Sequence, residues 1–410
     1  MPPLPPPPPA KKGKYFKHVV IVVQENRSFD NLFATFPGAD GTTVGKTHNG
    51  KLPLRETDLN SALGTNHGYP QWIKEYDGGK MDGFDLVPPG TAVYEYVNPA
   101  QIAPYWKLAQ EYVLSDHTFQ TQGSGSFTAH QDLIRGGTEI GDAKSLIDFP
   151  TLPPWGCDAP PGTVTSLITA DNQYLAQQGP RPCLTYRTLR DLLDAKEVSW
   201  RYYTPSIATL PGEQWNAFEA IAAVRNGPQW TTNDISPEKK VFTDINRDTL
   251  PAVSWIIPDA HNSDHPREGS DTGPSWVAQI VNAIGQSPAW DTTAIIIVWD
   301  DWGGWYDHVA PPGPRHYGGL GFRVPMIVVA PYAKAGYISH RQYEFGSIVR
   351  FVEDNWNLGR LGTTDATSAD FVDDFFDFNQ QPRKFLTIKA QYAQAYFLHQ
   401  RPSGQPVDDE

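Results

Sequence analysis

Asp300 and Asp301 stand side by side at the end of an apolar run in AIIIVWDDWGGWYDHV, Ala294 to Val309. Adjacent carboxylates in this setting offer hard oxygen donors to a divalent cation. The glycines at 303 and 304 let the backbone turn so that both acids approach one point, and Asp307 and His308 follow in the same loop. A second oxygen-bearing pair, Glu25 and Asn26, follows another apolar run, FKHVVIVV, Phe16 to Val23. The two pairs together supply most of a cation's coordination shell. Asn26 equally suits a turn or helix cap, and an Asp pair is also a common turn opener. A hydroxyl comes from TQGSGSFTAHQDLIRGG, where small residues precede a helical pattern that ends at Gly136 and Gly137 and place Ser126 at or next to a helix N-terminus. Free backbone N–H groups and the helix dipole make that position favourable for phosphate. Ser126 is equally suited to be the N-cap, Ser124 competes as the hydroxyl, and His130, one turn on, faces either the same pocket or the core. A third run, AVSWII, leads into DAHNSDHP and aims His261, Asp264 and His265 at the same edge.

Side chains spread this widely must be gathered by a sheet. The apolar runs read as buried strands, and in an open α/β sheet ligands bind outside the carboxyl ends of the strands. Val198 to Tyr203 and Arg323 to Ala330 add further strands, while Pro99 to Leu114, Leu184 to Ala195, Gly273 to Gly285 and Tyr343 to Trp356 carry helical spacing. The expected fold is a single α/β domain with a mainly parallel central sheet sandwiched by helices. Residues 1–14 form a proline-rich tail, 15–386 the catalytic domain, and 387–410 a peripheral extension ending in a disordered acidic tail, PVDDE. Gly38 to Gly83, which contains His67, reads as a long surface excursion, and Ile140 to Cys183 as an insertion without sustained period. Arg323 is expected to pair with Asp300 or a backbone carbonyl.

A formal charge of −13 opposes nonspecific binding to nucleic acid or anionic lipid surfaces. Cys157 and Cys183 are the only cysteines, and a bridge between them closes a loop of about 27 residues, contributing ~3 kcal/mol through the unfolded state. A disulfide points to a secreted or periplasmic home. No stretch approaches the ~20 apolar residues of a membrane span. Met1 to Ala10, MPPLPPPPPA, reads as polyproline II rather than the apolar core of a signal peptide, so an exported protein is expected here in mature or trimmed form. Oligomeric state stays open.

Five motifs occur in order along the chain: ENRSFDNLF (Glu25 to Phe33), KMDGF (Lys80 to Phe84), GSFTAHQ (Gly125 to Gln131), DDWGGWYDHV (Asp300 to Val309) and GFRVPMIVVAPYAK (Gly321 to Lys334). Together they resemble the phosphoesterase family of bacterial phospholipases C and related acid phosphatases, within the alkaline-phosphatase-like superfamily. The resemblance implies an alkaline-phosphatase-like fold and a metal-dependent phosphoric ester hydrolase of phospholipase C type. It implies a cation held by Glu25, Asn26, Ser126, Asp300 and Asp301, attack by Ser126 on phosphorus to give a phosphoserine, and protonation of the leaving alcohol by His265 or His67. His67 matches a histidine that lines the phosphate pocket of the phosphatase branch, His265 one that contacts the phosphoryl oxygen or leaving group, and His308 is expected to fix a ligand carboxylate. The family carries Ser at the nucleophile position in its phosphatase-like members and Thr in the phospholipases C, with neighbouring prolines that are Gly125 and Thr128 here. The implied substrate is a phospholipid or a small phosphate ester; the alternatives are a broad-specificity phosphomonoesterase and a non-catalytic secreted binding protein. The donor set suits magnesium, calcium or manganese, and the histidines admit zinc or iron.

Overall fold

HVVIVVQ and TAIIIVW have no polar face, and such runs are stable as strands only where both faces are covered. They form adjacent parallel strands whose fourteen residues are all buried. The computed structural model describes residues 7–61, 63–313 and 316–404, so the acidic PVDDE tail and much of the proline tail lie outside the described residues. Its main sheet has eight strands: β1 His18–Gln24, β2 Val113–Ser115, β3 Trp200–Tyr203, β4 Asp234–Ile235, β5 Val253–Ile256, β6 Thr293–Trp299, β7 Met326–Val329 and β8 Tyr337–Ser339. Their spatial order is β4-β3-β5-β1-β6-β7-β2-β8. Every neighbouring pair is parallel except the two made by β7, which runs against both β6 and β2. The sheet is therefore mainly parallel, as expected, with one reversed strand that carries the chain straight back from the Asp300 loop.

Its helices include α1 Phe29–Phe33, α2 Ala103–Glu111, α3 Ser126–Arg135, α4 Leu189–Ala195, α5 Lys240–Asn246, α6 Gly273–Gly285 and α7 Phe345–Trp356. Six of these flank the sheet in two packs, α2 and α5 against α6 in one, and α3, α4 and α7 in the other. Trp255 of β5 donates its indole N–H to the Leu133 carbonyl of α3 at 3.1 Å, while Trp299 of β6 meets Tyr105 of α2 edge-on at 4.9 Å. The first of these anchors fixes α3, and hence Ser126, against the sheet, and the second fixes α2. Residues 387–404 lie along α6, where Asn282 donates to the Ile388 carbonyl and Phe397 packs on Trp276.

Four local expectations change. The helical spacing of Pro99 to Leu114 yields helix only over Ala103–Glu111; Val113–Ser115 is instead a strand, because pairing with β7 and β8 outweighs a periodicity that three residues cannot express. The helix in Leu184 to Ala195 begins at Leu189, where the Thr188 N–H donates to Asp191 Oδ2 at 2.9 Å. The Ile140 to Cys183 insertion is partly ordered by an antiparallel four-stranded sheet whose strands include Lys144–Ile147 and Ser166–Thr169, and the Cys157–Cys183 disulfide is present. The Gly38 to Gly83 excursion likewise holds a hairpin, Val44–Thr47 with Gly50–Pro53, and a helix, Tyr69–Tyr76.

Candidate active site

Glu25 and Asn26 leave β1 where Asp300 and Asp301 leave β6, and the parallel ladder sets the two exits side by side. The Asp300 N–H still donates to the Gln24 carbonyl at 2.9 Å, and the Glu25 N–H donates to the Ser263 carbonyl at 2.8 Å, which ties in the loop after β5. Asn26 adopts a left-handed backbone at φ +58°, a conformation that asparagine tolerates better than most residues. Its N–H donates to Asp300 Oδ1 at 2.8 Å, and the same oxygen accepts the Asp301 N–H at 2.7 Å. Asp301 Oδ1 accepts the Gly303 N–H at 2.7 Å. Gly303 sits at φ +60°, and a Cβ there would meet the Asn26 carbonyl oxygen at 2.2 Å. The glycine is thus required by a backbone contact as well as by its turn.

Ser126 is the first residue of α3, with Gly125 as N-cap and Gly136 closing the helix in the left-handed region. The N-cap role open to Ser126 therefore falls to Gly125, and the serine side chain is released for another partner. Its hydroxyl donates to Asp301 Oδ2 at 3.1 Å. Ser126 is fully buried, as are Glu25, Asn26, Asp300 and Asp301. Ser124 faces elsewhere: its Oγ accepts the Asp148 N–H at 2.7 Å.

The histidines divide. His67 is buried despite lying in a loop; its Nδ1 donates to the Thr65 carbonyl at 3.0 Å, and Nε2 accepts from Asn26 Nδ2 at 2.6 Å and lies 3.8 Å from Asp301 Oδ2. His265 is buried beside Trp215, with Nδ1 bonded to the Pro266 carbonyl at 2.5 Å, in the loop that Ser263 ties to Glu25. His130, left undecided by sequence, points its Nε2 at both Glu25 oxygens at 3.2 Å and at Asp300 Oδ2 at 3.7 Å. The signal was there in its position one turn after Ser126, but spacing alone cannot say which face a helix turns inward. His308, by contrast, meets none of Glu25, Asn26, Asp300 and Asp301: it bonds Asp30 Oδ2 at 2.7 Å. The expectation that it fixes a ligand carboxylate is replaced by a tie between the two loops.

Arg323 takes the backbone-carbonyl alternative: its guanidinium donates to the Asp40 and Asp116 carbonyls and grips Asp307 of the acidic loop at 2.9 Å, rather than Asp300. Asp264 turns beneath the sheet end, accepting from Tyr105 Oη at 2.7 Å and Trp299 Nε1 at 3.3 Å; burial pushes its carboxyl up to about 6. His261 lies in a short turn capped by Asp259. Two of the five motifs are scaffolding. Met81 and Phe84 of KMDGF, with Phe322 of GFRVP, join Trp302, Trp305 and Tyr306 in a second apolar cluster under the acidic loop. Trp302 is pinned there by Glu75, whose carboxyl is held well above its usual range by burial.

Asn26 Oδ1 and Asp300 Oδ2 are fully buried and have no hydrogen-bond partner. Each such oxygen costs about 1–3 kcal/mol unless a ligand meets it. Together with Glu25, Asp301 and the Ser126 hydroxyl they form an oxygen-rich set, with the His130 imidazole alongside, and that chemistry fits a divalent cation. Glu25, His130 and Asp300 also present ligand atoms within 4.8 Å of one another.

The sequence profile of the Phosphoesterase family matches residues 16–359. Non-hemolytic phospholipase C of Pseudomonas aeruginosa is 26% identical over 398 residues, an alignment covering 84% of this chain and 54% of that protein. Phospholipase C B of Mycobacterium tuberculosis is 25% identical over 422 residues, covering 88% and 77%. The chain spans about half the length of the Pseudomonas and Burkholderia relatives it matches. Among solved structures, a protein in the alkaline phosphatase superfamily from Vibrio parahaemolyticus aligns at 11% identity with a TM-score of 0.40, over 89% of this chain and 73% of that one.

Proposed function

The chain belongs to the Phosphoesterase family, and from that premise we propose that it is a metal-dependent phosphoric ester hydrolase of phospholipase C type with Ser126 as its nucleophile. The observation that carries the reading is the Ser126 hydroxyl at the mouth of α3, bonded to Asp301 at 3.1 Å beside the Asn26 and Asp300 oxygens that have no hydrogen-bond partner. Glu25, Asn26, Ser126, Asp300 and Asp301 would hold the cation. When bound, it supplies positive charge that favours the ionised serine and the charge developing on phosphoryl oxygens.

The chain's own groups do the rest. Asp301 orients the serine oxygen. The first-turn N–H groups of α3 have no intrahelical acceptor and face the incoming phosphoryl oxygens. The Ser126 hydroxyl passes its proton to Asp301 Oδ2, its hydrogen-bond acceptor, the Ser126 Oγ–P bond forms as the ester O–P bond breaks, and the departing alcohol takes a proton from His67 or His265. Water then attacks phosphorus and gives one proton back to that histidine, the Oγ–P bond breaks, the serine takes its proton back from Asp301, and a phosphomonoester leaves from a diester or phosphate from a monoester. The disulfide supports an exported home.

Hydrolysis of p-nitrophenylphosphorylcholine beside p-nitrophenyl phosphate, with EDTA and with metal restored, tests this. Metal-dependent preference for the choline diester is expected. Preference for the monoester moves the reading to a phosphatase, and absence of turnover with metal bound moves it to a binding protein.

A further inference from the structure

His130 lies on α3, one turn after Ser126, and has no role in the steps set out above. Its side chain is buried and reaches the residues that leave β1 and β6. The ring Nε2 lies 3.2 Å from each carboxylate oxygen of Glu25 and 3.7 Å from Asp300 Oδ2, and both carboxylates are fully buried. One ligand atom from each of the three residues lies within 4.8 Å of the other two. A nitrogen and two carboxylate oxygens are thus brought to one point by a helix and two strand ends.

The hydrogen bonds of Asp300 decide which of its oxygens faces that point. Oδ1 accepts the backbone N–H groups of Asn26 and Asp301 at 2.8 and 2.7 Å, whereas Oδ2, the oxygen nearer His130, has no hydrogen-bond partner. A proton on Nε2 does not satisfy the arrangement. A single N–H is shared between two equidistant Glu25 oxygens, and Asp300 Oδ2 at 3.7 Å is beyond its reach. One positive charge on the ring also balances only one of the two buried carboxylates, and an unbalanced buried charge is costly. A divalent cation meets both charges and takes the Nε2 lone pair as well. Donors held ~2.0–2.2 Å from one ion at near-tetrahedral angles stand about 3.3–3.6 Å apart. The Nε2 to oxygen separations of 3.2 and 3.7 Å are close to that spacing. His67 is engaged differently, its Nε2 meeting Asn26 Nδ2 at 2.6 Å.

We propose that His130 is a nitrogen ligand of the active-site cation, sharing it with Glu25 and Asp300, and that it sets the metal preference of the site. The inference rests on the reading that Glu25, Asn26, Ser126, Asp300 and Asp301 hold a cation, and it adds one nitrogen to that oxygen set. Oxygen donors alone suit magnesium, calcium or manganese; an imidazole among them moves the preference toward borderline ions such as zinc, cobalt(II) or iron(II). Ser126 and His130 share the first turns of α3, so the helix that presents the serine is itself tied to the ion that the serine meets.

The test strips the full chain of metal, titrates it with cobalt(II), and lets zinc(II) and magnesium(II) compete for the bound cobalt, in the parent and in His130→Gln. The parent is expected to prefer cobalt and zinc to magnesium. His130→Gln should weaken cobalt and zinc binding at least about tenfold and leave magnesium within about threefold. A ring that only packs, or only donates a proton to Glu25, would move all three ions together. Pulsed electron paramagnetic resonance of the manganese(II)-loaded parent reads nitrogen bonded to the ion without relying on a variant. It should show an imidazole coupling, which His130→Gln, checked by circular dichroism to be folded, should lack. Ester hydrolysis on the same samples separates the two readings. Metal binding and turnover with no nitrogen coupling, or equal weakening for every ion, overturns the role of His130 and leaves the phosphoesterase reading in place. A parent protein that binds no divalent ion overturns both.

Discussion

The Ser126 hydroxyl and Asp301 Oδ2, residues 175 positions apart in the chain, are joined by a 3.1 Å hydrogen bond. One belongs to the first turn of α3 and the other to the exit of β6, so the contact exists only when helix and sheet are packed. Because Gly125 caps the helix, Ser126→Ala removes the proposed nucleophile without removing a cap. Folding should be kept, with a melting temperature within a few degrees of the parent, and p-nitrophenyl ester turnover should fall by at least about 10³-fold. A variant with substantial turnover ends the nucleophile assignment.

Asp301→Asn keeps the shape of the side chain and gives up its charge. The altered protein should hold one fewer equivalent of divalent metal than the parent and lose turnover with it, as measured by elemental analysis beside the ester assay. Equal metal content in the two proteins would remove Asp301 from the ligand set.

Gly303→Ala asks for a Cβ at φ +60° and 2.2 Å from the Asn26 carbonyl oxygen. The loop must shift to admit it, at a cost of about 1–3 kcal/mol. Since the same shift pulls on Asn26 and Asp301, turnover should drop at least about tenfold together with the melting temperature. Wild-type activity in a stable Gly303→Ala protein contradicts the close approach.

Burial on β4 pushes the Asp234 carboxyl up to about 8 from its ordinary 3.8, against a stabilising bond from Asn216 Nδ2 at 2.9 Å. The folded chain therefore keeps a proton that the unfolded chain loses once the pH exceeds about 4. The stability contributed is fully present below that pH and is lost as the pH rises through 8. Asp234→Asn, which mimics the protonated form, should raise the melting temperature more at pH 8 than at pH 5. An equal change at both values would refute the raised carboxyl.

The strand ends and their acids were legible because seven-residue β-branched runs admit few other structures, and α3 because a glycine closes its helical pattern. Other features depend on partners distant in sequence. Val113–Ser115 becomes a strand through β7 and β8, and the reversed direction of β7 is a property of the sheet rather than of RVPMIVVA. His130 was placed on the right helix but not on a face. Of the two partners open to Arg323, the backbone carbonyls of Asp40 and Asp116 hold it, with Asp307 in place of Asp300, and His308 goes to Asp30 rather than to a carboxylate at the end of β6. A motif tells which residues travel together, and only packing decides which acid receives which base.

Because β7 returns beside β6 in the opposite direction, the loop that begins at Asp300 starts and finishes on adjacent strands, with stems only one strand spacing, about 4.8 Å, apart. A segment anchored so narrowly can gain or lose length at its tip without altering the order of the sheet. Its stem holds the buried Asp300 and Asp301, so lengthening this one excursion would change what overhangs those carboxylates while leaving them in place.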